Sequence, residues 1–395
     1  MYRMKHFLLF CLVAVSFVCG ASAGTPKFSV LTCSPGDEAY ALYGHTALRY
    51  CDEDAGVDVV FNYGCFDFSA PNFAWRFVLG ETDYIVAMSH FDGFLDEYAL
   101  RGSAVVEQAI NLTPEQEAAL LRALVHNCRA ENRGYRYRYL DNNCTTKVRD
   151  MLLQQLSGTV AYEGEQHPAT TYRDALNVVA SRHPWYAFGF GLLLGSDVDE
   201  APGREALQFL PLNFMKDLEG ATVAMPDGSR KKIVASTNVL LAENRPAAVR
   251  SNFTPFNASL LLLLGTMIVM LCELRSRKTY WGLDMLLMLL QGLSGALLLF
   301  MALFSQHPAV GNNWLLLLLN PLALLLLPVM LYRIRKHLDV NWIAWTQIVF
   351  VALFVLSAIA GLQCYPAPIY FCALALLVRS LFHLYKERIC ELNIV

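Results

Sequence analysis

The sequence predicts an α+β domain followed by an all-α membrane domain of five helices. Long apolar runs, each near the length of a membrane span, fill the chain after residue 256, whereas short strand-like and helix-like patterns alternate before it. The 395 residues are also 55% hydrophobic and only 16% charged, which is too apolar for an ordinary soluble protein. The formal net charge of −3, with no large block of Lys or Arg, indicates no nucleic-acid partner.

Residues 1–23 are typical of a signal peptide, which directs a chain to export. Basic residues precede an apolar core over residues 7–18, and small residues at 21–23 provide a cleavage site. A lipoprotein signal that uses Cys19 is a weaker alternative, because bulky residues precede this cysteine. An uncleaved anchor is a third alternative, although the apolar run is short. We therefore expect the exported chain to start near Gly24.

Five apolar runs in the second half of the chain have the length of membrane-spanning helices. Basic residues follow the first and third runs and the end of the fifth, whereas the loops after the second and fourth runs carry no Lys or Arg. Because basic loops stay in the cytoplasm, this predicts a multi-pass inner membrane protein with a cytoplasmic C-terminus. Residues 24–255 would then lie in the periplasm, and residues 256–395 would form the membrane domain. The five runs fall at 256–272, 282–304, 313–332, 342–363 and 367–384.

Strand and turn patterns dominate the first part of the exported domain. Residues 45–50 alternate like a half-buried strand, and an acidic turn at 52–58 leads to an apolar strand at 59–63. We therefore expect a hairpin over residues 49–63. One or two helical turns are expected over residues 38–43. Further strands are predicted at 28–32, 82–89 and 104–110.

Helical patterns follow in the chain. Residues 114–127 form the clearest one, with Thr113 as N-cap and a proline at the first position. A second helix begins at Cys144, and a third covers residues 170–180. The uncharged run 184–195 is either an interfacial or lid-like segment that contacts lipid, or a buried loop or core helix. The last predicted strands form a pair at 221–225 and 233–239.

The exported domain contains an odd number of cysteines in an oxidising compartment. At least one of them is therefore free or bonded to another molecule. The other four allow three disulfide patterns, among which the sequence does not decide. The context of Cys144 at a helix start makes it the one most suited to chemistry. The five cysteines are Cys33, Cys51, Cys65, Cys128 and Cys144.

Cys144 is the candidate nucleophile. It follows an Asp-Asn-Asn cluster and opens a helical pattern, with Asn142 or Asn143 as N-cap. The positive end of the helix dipole favours the thiolate, which is the nucleophilic form of cysteine. The alternative interpretation is that Cys144 forms half of a disulfide or is a small buried residue.

His45 is the candidate base, because it starts a strand directly after a glycine, where the backbone can approach a substrate. An imidazole base needs a third group to fix its tautomer, and Asn62 on the neighbouring strand is the candidate. The alternative is that Asn62 is a structural polar residue. The Cys144 N–H would bind the oxyanion, with Tyr43 and Tyr139 as candidates for an additional hydroxyl donor.

The other histidines of the exported domain have structural explanations. One lies late in a surface helix, two precede prolines and one follows a strand, which are common places for a histidine without a chemical role. The sequence contains no C-x-x-C, no H-E-x-x-H and no phosphate-binding glycine loop, so we expect no metal and no other cofactor. These histidines are His90, His126, His167 and His183.

Four stretches of the sequence carry a family resemblance: CSPGDEAYALYGHTALRY, FNYGCFDF, DNNCTTKVRD and, in the membrane domain, HPAVGNNW. With them the chain resembles the Lnb lipoprotein N-acyltransferases of Bacteroidota over essentially the whole mature chain. A histidine on a strand and a later Asn-Cys at a helix start are also similar to the permuted papain-like group, which includes lecithin:retinol acyltransferase. The resemblance implies a permuted papain-like exported domain, with Cys144 as nucleophile and His45 as base.

The resemblance also implies a reaction. An acyl chain would move through a thioester on the cysteine to the α-amino group of the lipid-modified N-terminal cysteine of a lipoprotein. Membrane lipids would be the acyl donor and diacylated lipoproteins the acceptor. The outward-facing loop between the second and third spans would close the site from below or hold a headgroup. Its candidate residues are His307, Asn312, Asn313 and Trp314.

Two other functions stay open. An exported Cys-His amidase or peptidase acting on cell-wall peptides would keep the same site, but it would not need five spans. A non-enzymatic, membrane-anchored sensor would use the exported domain to bind a ligand, with Cys144 in a disulfide. The lack of an output domain after the last span disfavours this second alternative.

Overall fold

The computed structural model describes residues 27–164, 167, 170–225, 228–245 and 253–392. The predicted signal peptide lies outside these ranges. An α+β domain comes first and five long apolar helices follow, as the sequence predicts. One antiparallel sheet organises the α+β domain and positions the candidate site.

Within the described ranges, ten strands form two antiparallel sheets. They are β1 (Lys27–Cys33), β2 (His45–Asp52), β3 (Val57–Cys65), β4 (Asp83–His90), β5 (Val105–Ile110), β6 (Gly134–Arg136), β7 (Val160–Tyr162), β8 (Ala221–Ala224), β9 (Arg230–Lys232) and β10 (Val234–Leu241). The main sheet has the order β10-β5-β1-β2-β3-β4-β6, and the small sheet has the order β7-β8-β9. The predicted hairpin is confirmed, because β2 and β3 pair from Leu48 and Phe61 to Asp52 and Val57.

The described part of the α+β domain contains eight α-helices. They are α1 (Phe73–Val78), α2 (Phe91–Leu100), α3 (Pro114–Asn127), α4 (Cys144–Leu153), α5 (Tyr172–Ala180), α6 (Pro184–Leu193), α7 (Arg204–Leu207) and α8 (Pro211–Glu219). The predicted helices at 114–127, from Cys144 and at 170–180 are confirmed. Helix α3 has the predicted Thr113 N-cap, which forms a capping box with Gln116.

Both faces of the main sheet are buried. Side chains alternate along a strand, so Phe28, Leu48 and Phe61 point to one face, where α3, α4 and α8 cover them. Leu31 and Ala47 point to the other face and pack against α2. The start of α4 therefore lies against β2 and β3. This contact places the first residue of α4 beside the first residue of β2.

Three details of the domain differ from the prediction. Residues 38–43 form consecutive turns rather than helical turns, because the Ala41 carbonyl accepts from both the Gly36 and Gly44 N–H groups and closes the loop. The two last predicted strands belong to different sheets. Strand β8 pairs with β9 in the small sheet, whereas β10 joins the edge of the main sheet beside β5. Several elements were not predicted, namely helices α1, α2, α7 and α8 and strands β6, β7 and β9.

Five segments of the described chain are long and apolar enough to cross a membrane. Their helices are α9 (Pro255–Ser276), α10 (Trp281–Phe304), α11 (Leu322–Arg335), α12 (Asn341–Ile359) and α13 (Pro368–Leu392). The third predicted span is not one continuous helix. A 3-10 turn at Trp314–Leu317 precedes α11, because Pro321 has no N–H to continue a helical ladder and marks a new helix start.

A buried ionic cluster connects three spans at the end of the bundle that faces away from the α+β domain. Arg379 of α13 lies 2.6 Å from Asp284 of α10 and 2.8 Å from Glu273 of α9. His383 lies 2.8 Å from the same Asp284 carboxylate. The Arg379 guanidinium is therefore inside the helix bundle and paired, rather than exposed like the basic residues of a loop.

Candidate active site

Cys144 is the first residue of α4, and hydrogen bonds fix the chain just before it. Asn143 is the N-cap: its Oδ1 accepts from the Thr146 N–H (2.9 Å), and Thr146 Oγ1 accepts from the Asn143 N–H (2.8 Å). The Asn143 amide also donates to the carbonyls of Tyr139 and Phe209, both at 2.8 Å. The Cys144 N–H occupies the first helical position, where the helix itself offers no acceptor. It is therefore available to an oxyanion.

The Cys144 thiol is buried against β2. The Thr145 hydroxyl oxygen lies 3.9 Å from the sulfur and 3.1 Å from the hydroxyl oxygen of Thr46 on β2. The Thr46 N–H donates a hydrogen bond to the sulfur. Only 8% of Cys144 is exposed. The sulfur is therefore held in a site largely closed to water, where electrostatic interactions are stronger than in solution.

His45 starts β2 and is hydrogen-bonded to the thiol. Its Nε2 lies 3.2 Å from Asn62 Oδ1 on β3. Because a carbonyl oxygen only accepts, Nε2 carries the proton and Nδ1 is left to face the thiol. Asn62 in turn donates to Ser89 Oγ on β4 (3.2 Å), and Tyr98 of α2 stacks on the imidazole with ring centroids 6.3 Å apart. The structure thus brings the three predicted residues Cys144, His45 and Asn62 together.

The Cys144–His45 pair shifts the protonation of both partners. Burial alone would raise the pKa of the Cys144 thiol, but the charge and hydrogen bond of His45 lower that pKa below its usual range. Burial alone would lower the pKa of His45, but the charge and hydrogen bond of Cys144, helped by Asn62, raise that pKa. These opposite shifts favour a thiolate–imidazolium pair over the neutral pair. Such a pair is suited to nucleophilic catalysis.

Gly64 borders the space beside the thiol. It lies at a bulge near the end of β3 with φ +92°, a conformation that favours glycine. A Cβ at this position would lie 3.5 Å from Cys144 Cβ, 3.6 Å from the Tyr137 ring and 3.9 Å from the Tyr135 hydroxyl. That hydroxyl is buried and has no hydrogen-bond partner among the described residues. It is therefore a donor available to a group bound next to Cys144.

The two tyrosines predicted as hydroxyl donors lie on the membrane side of the domain. Tyr43 packs against Phe190 of α6, with ring centroids 6.2 Å apart. The Tyr139 hydroxyl donates to the carbonyl of Pro308, in the loop between α10 and α11 (3.2 Å). Burial raises the pKa of both phenols. Both side chains thus contact the parts of the chain that adjoin the membrane, and their role toward a substrate stays a prediction.

The loop between α10 and α11 fastens the α+β domain to the helix bundle. His307 Nε2 lies 2.6 Å from the carbonyl oxygen of Phe77 in α1. Asn313 caps the 3-10 turn and donates to the carbonyl of Leu192 in α6 (2.7 Å). The loop is thus hydrogen-bonded to two elements of the domain. The predicted contact of His307 and Asn313 with a headgroup stays a prediction.

The other two candidates of this loop are more accessible. Asn312 donates to Asp197 (2.9 Å), and its carbonyl accepts from the Ser196 N–H (2.8 Å). The Trp314 side chain is 42% exposed and, with Asn312 and Ser196, lines a surface cavity. The structure therefore places Trp314 at the edge of the membrane-facing side, beside the domain, and its role also stays a prediction.

All five cysteines of the α+β domain are free thiols. Burial raises the pKa of Cys65 and of Cys128 to about 11, and it also raises the pKa of Cys33 and Cys51. Cys144 is the one whose pKa is lowered. The structure therefore distinguishes Cys144 from the other four. Among the described residues, no three His, Cys, Asp or Glu side chains form a group that could hold a metal ion.

Several residues of the site were missed in the sequence. The alternation of tyrosine and arginine before Cys144 was a usable signal, because it places Tyr135 and Tyr137 on one face just before the candidate nucleophile. Ser89 lies two residues from the strand partner of Asn62, so its contact depends on the register of β3 and β4. Tyr98 belongs to a helix that was not predicted. These last two contacts have no local sequence signal.

Comparison with known proteins agrees with this architecture. A family model described as Lnb N-terminal periplasmic domain matches residues 22–178, and one described as Lnb transmembrane domain matches residues 247–388. A search of curated proteins and a search of solved structures returned no match. The two family models place the α+β domain in the periplasm and the five helices in the inner membrane, and they suggest a lipoprotein-modifying enzyme. The chain, with Cys144, His45 and Asn62 assembled in its periplasmic domain, belongs to the Lnb family.

Proposed function

We propose that this protein is a lipoprotein N-acyltransferase. It moves an acyl chain through a thioester on Cys144 to the α-amino group of the lipid-modified N-terminal cysteine of a lipoprotein. The observation that carries this proposal is the position of the Cys144–His45–Asn62 array in a domain joined to the periplasmic side of five spans. An enzyme that acts on soluble peptides would not need its active site to be joined to membrane spans.

The first step forms the thioester. The Cys144 thiolate attacks the ester carbonyl of a membrane lipid, and the Cys144 N–H and the Tyr135 hydroxyl stabilise the oxyanion. When the C–O bond breaks, the protonated imidazole of His45 gives its proton to the leaving lysolipid alkoxide. Asn62 holds the imidazole so that the nitrogen facing the thiol also faces the leaving group. The chain is then bound to sulfur, and His45 is neutral.

The second step transfers the chain to the acceptor. The α-amino group of a diacylated lipoprotein attacks the thioester carbonyl, and neutral His45 accepts the proton that the amine loses. The C–S bond breaks, and the thiolate leaves beside an imidazolium. The products are a triacylated lipoprotein and the starting ion pair. Acyl donor and acceptor are both held in the outer leaflet, so a site at that surface gains effective concentration from tethering.

The contacts between the domain and the spans support a cytoplasmic C-terminus. The chain enters α13 beside the domain, where the Cys364 N–H donates to Asp199 (3.0 Å) and the Gln363 amide donates to the Leu194 carbonyl (3.2 Å). A single crossing from the periplasmic side then ends in the cytoplasm. We also retain residues 1–23 as a signal peptide, 24–255 as the periplasmic domain and 256–395 as the membrane domain.

Mass spectrometry of a reporter lipoprotein tests the proposal. The protein or its Cys144→Ser variant is produced in cells that lack their own N-acyltransferase activity, and the N-terminal peptide of the reporter is analysed. We expect a third acyl chain with the wild type and a diacylated peptide with Cys144→Ser. The Tyr135→Phe variant should give less of the triacylated form if its hydroxyl stabilises the oxyanion. A peptide that stays diacylated with the normally inserted wild-type protein would contradict the proposal.

A further inference from the structure

Helix α1 and the loop before it present an exposed aromatic surface. None of the α1 residues is buried. Trp75 is 55% exposed and Phe77 is 47% exposed, and Phe68, just before the helix, is 64% exposed. Large exposed apolar clusters mark a contact with lipid or with a partner. We define the aromatic ramp as Phe66, Phe68, Phe73, Trp75, Phe77 and Tyr84.

The lower end of the aromatic ramp continues the lipid-facing surface of α10. The Trp75 ring packs on Phe300, with centroids 5.4 Å apart, and Phe300 packs on Phe304, which is exposed. Hydrogen bonds hold this contact in place, since the Val78 carbonyl accepts from Ser305 Oγ (2.8 Å). Aromatic residues at the end of a span are typical of the membrane interface. The ramp therefore begins at the level of the outer leaflet.

The upper end of the aromatic ramp reaches the candidate nucleophile. Phe73 lies 5.8 Å from Phe66 between ring centroids, and Phe66 lies 5.0 Å from Tyr84. Tyr84 stacks on Tyr137 at 4.2 Å. Tyr137 and Cys144 border the same point of β3, as described above. Aromatic rings therefore lie in series from α1, which contacts the second span through Trp75, to Tyr137 beside the thiol.

The arginines beside the aromatic ramp are already paired, and the exposed Asp67 carboxylate between Phe66 and Phe68 accepts hydrogen bonds from Ser69. Arg76 and Arg136 both bind the Asp83 carboxylate, at 3.0 and 2.9 Å. The ramp itself offers rings rather than charged groups. A peptide or a charged headgroup would therefore lose hydration there without gaining a charged partner, whereas a hydrocarbon chain would gain apolar contact. This chemistry favours an acyl chain as the occupant.

We propose that the aromatic ramp binds the acyl chain that is transferred. The chain follows the ramp from the bilayer until the ester carbonyl meets Cys144, and it stays on the ramp in the thioester. This inference rests on the proposed function and adds the route of the donor chain. The experiment must distinguish the acyl chain from two alternative occupants of the ramp, which are the acceptor lipoprotein and a second copy of this protein.

The test compares the two half-reactions in a Phe68→Gln, Trp75→Gln double variant. Acylation of Cys144 is followed by intact mass, first from vesicles of palmitoyl phosphatidylethanolamine and phosphatidylglycerol, and then from the small soluble ester 4-nitrophenyl acetate. We expect acylation from vesicles to slow by about tenfold or more, because apolar contact to the chain is lost. Acylation by the soluble ester should be unchanged, which shows that the site is intact. Leu100→Gln, at a 90% exposed apolar residue away from the ramp, is the matched control.

The possible outcomes distinguish a failure of the proposed function from a failure of the proposal that the aromatic ramp binds the acyl chain. If wild-type Cys144 takes no acyl chain from vesicles, the proposed function fails and the inference fails with it. If the wild type is acylated and the double variant is acylated equally fast, the inference alone is overturned. If only transfer from the acylated enzyme to a diacylated lipopeptide slows, the ramp serves the acceptor. A changed oligomeric state of the variant would instead assign the ramp to a second copy.

Discussion

Cys144 and His45 depend on each other for their charge. Both side chains lie where burial disfavours ionisation, and for each of them the other residue of the pair contributes most to reversing that effect. The carboxamide of Asn62, rather than a carboxylate, orients the imidazole. A neutral partner fixes the tautomer without adding a negative charge that would compete with the thiolate. The reactive form is therefore a property of the pair rather than of either residue.

This pairing predicts an unusual pH dependence of alkylation. Because the Cys144 pKa is lowered, its thiolate persists as the pH falls below the usual range of a thiol, and the raised His45 pKa keeps the imidazolium as the pH rises. Alkylation of Cys144 by a small neutral reagent should therefore have its pH midpoint below the usual thiol range. Cys128, with a pKa of about 11, is the internal reference and should react only at high pH. Mass spectrometry of the labelled peptides gives both rates.

The His45→Ala variant is the control for this experiment. Without the imidazolium, burial dominates and the pKa of the Cys144 thiol should rise, so its alkylation midpoint moves to higher pH. A midpoint for Cys144 that equals that of Cys128 in the wild type, or that does not move in His45→Ala, would contradict the ion pair.

At the residue scale, the sequence predicted that Cys144, His45 and Asn62 would lie together, whereas the residues that support them were not predicted. Cys144 and His45 stand at positions whose function depends on local structure, a helix start and a strand start. Asn62 could be chosen because the hairpin that carries it has a clear turn signal. Ser89 and Tyr98 act across the sheet and from an unpredicted helix. Such contacts depend on register and packing, which single positions in a sequence do not reveal.

At the scale of elements, a helix or strand could be predicted when the contacts that stabilise it come from residues close to it in the sequence. Helix α3 has its own cap and proline, so it was predicted. Helix α1 has six residues and no N-cap hydrogen bond, and it is held by the loop after α10. That loop lies more than 200 residues away in the chain, so no local sequence pattern predicts the helix. Helix α2 buries Phe91, Phe94 and Tyr98 at helical spacing, which was a usable signal.

The ionic cluster of the spans gives a prediction about stability. Arg379 contacts both Asp284 and Glu273. Removing its guanidinium therefore leaves two carboxylates inside the bundle without this cationic partner. Breaking a buried ion pair by removing one partner costs about 3–5 kcal/mol. Arg379→Leu should therefore lower the thermal unfolding temperature of the detergent-solubilised protein. Light scattering and intrinsic fluorescence during heating give that temperature.

Arg275→Leu is the matched control, because Arg275 lies at the exposed end of α9. Removing a surface arginine usually changes stability by less than about 0.5 kcal/mol. Equal unfolding temperatures for the two variants would show that the cluster does not stabilise the bundle. A loss of stability in Arg379→Leu alone would confirm that the cluster holds α9, α10 and α13 together.

At the scale of the whole molecule, the α+β domain and the spans form one working unit. The loop between α10 and α11 contacts α1 through His307 and α6 through Asn313. Tyr139, five residues before Cys144, donates to Pro308 in the same loop. The chain just before Cys144 is thus anchored directly to the periplasmic ends of the spans. In the reaction that we propose, a site placed there would receive its lipid substrates without requiring them to leave the leaflet.

The large-scale organisation was predictable because hydropathy and charge act over long segments. Five spans and a periplasmic domain follow from run lengths and from the distribution of basic residues. The way in which the domain sits on the spans was not predictable. It depends on side chains such as Tyr139 and Asn313, whose partners lie far away in the chain. The break in the third span also needed the structure, although Pro321 was its signal.

In the mechanism that we propose, Cys144 carries the acyl chain as a thioester between two lipid substrates. The most direct test is the intact mass of the purified protein, incubated with phospholipid and then with a diacylated lipopeptide. We expect the mass to increase by one acyl chain on Cys144, to return to its starting value when the lipopeptide is added, and the lipopeptide to become triacylated. Hydroxylamine at neutral pH should also remove the chain, and Cys144→Ala should never acquire it. A lipopeptide that becomes triacylated with no thioester, or with the Cys144→Ala variant, would contradict this mechanism.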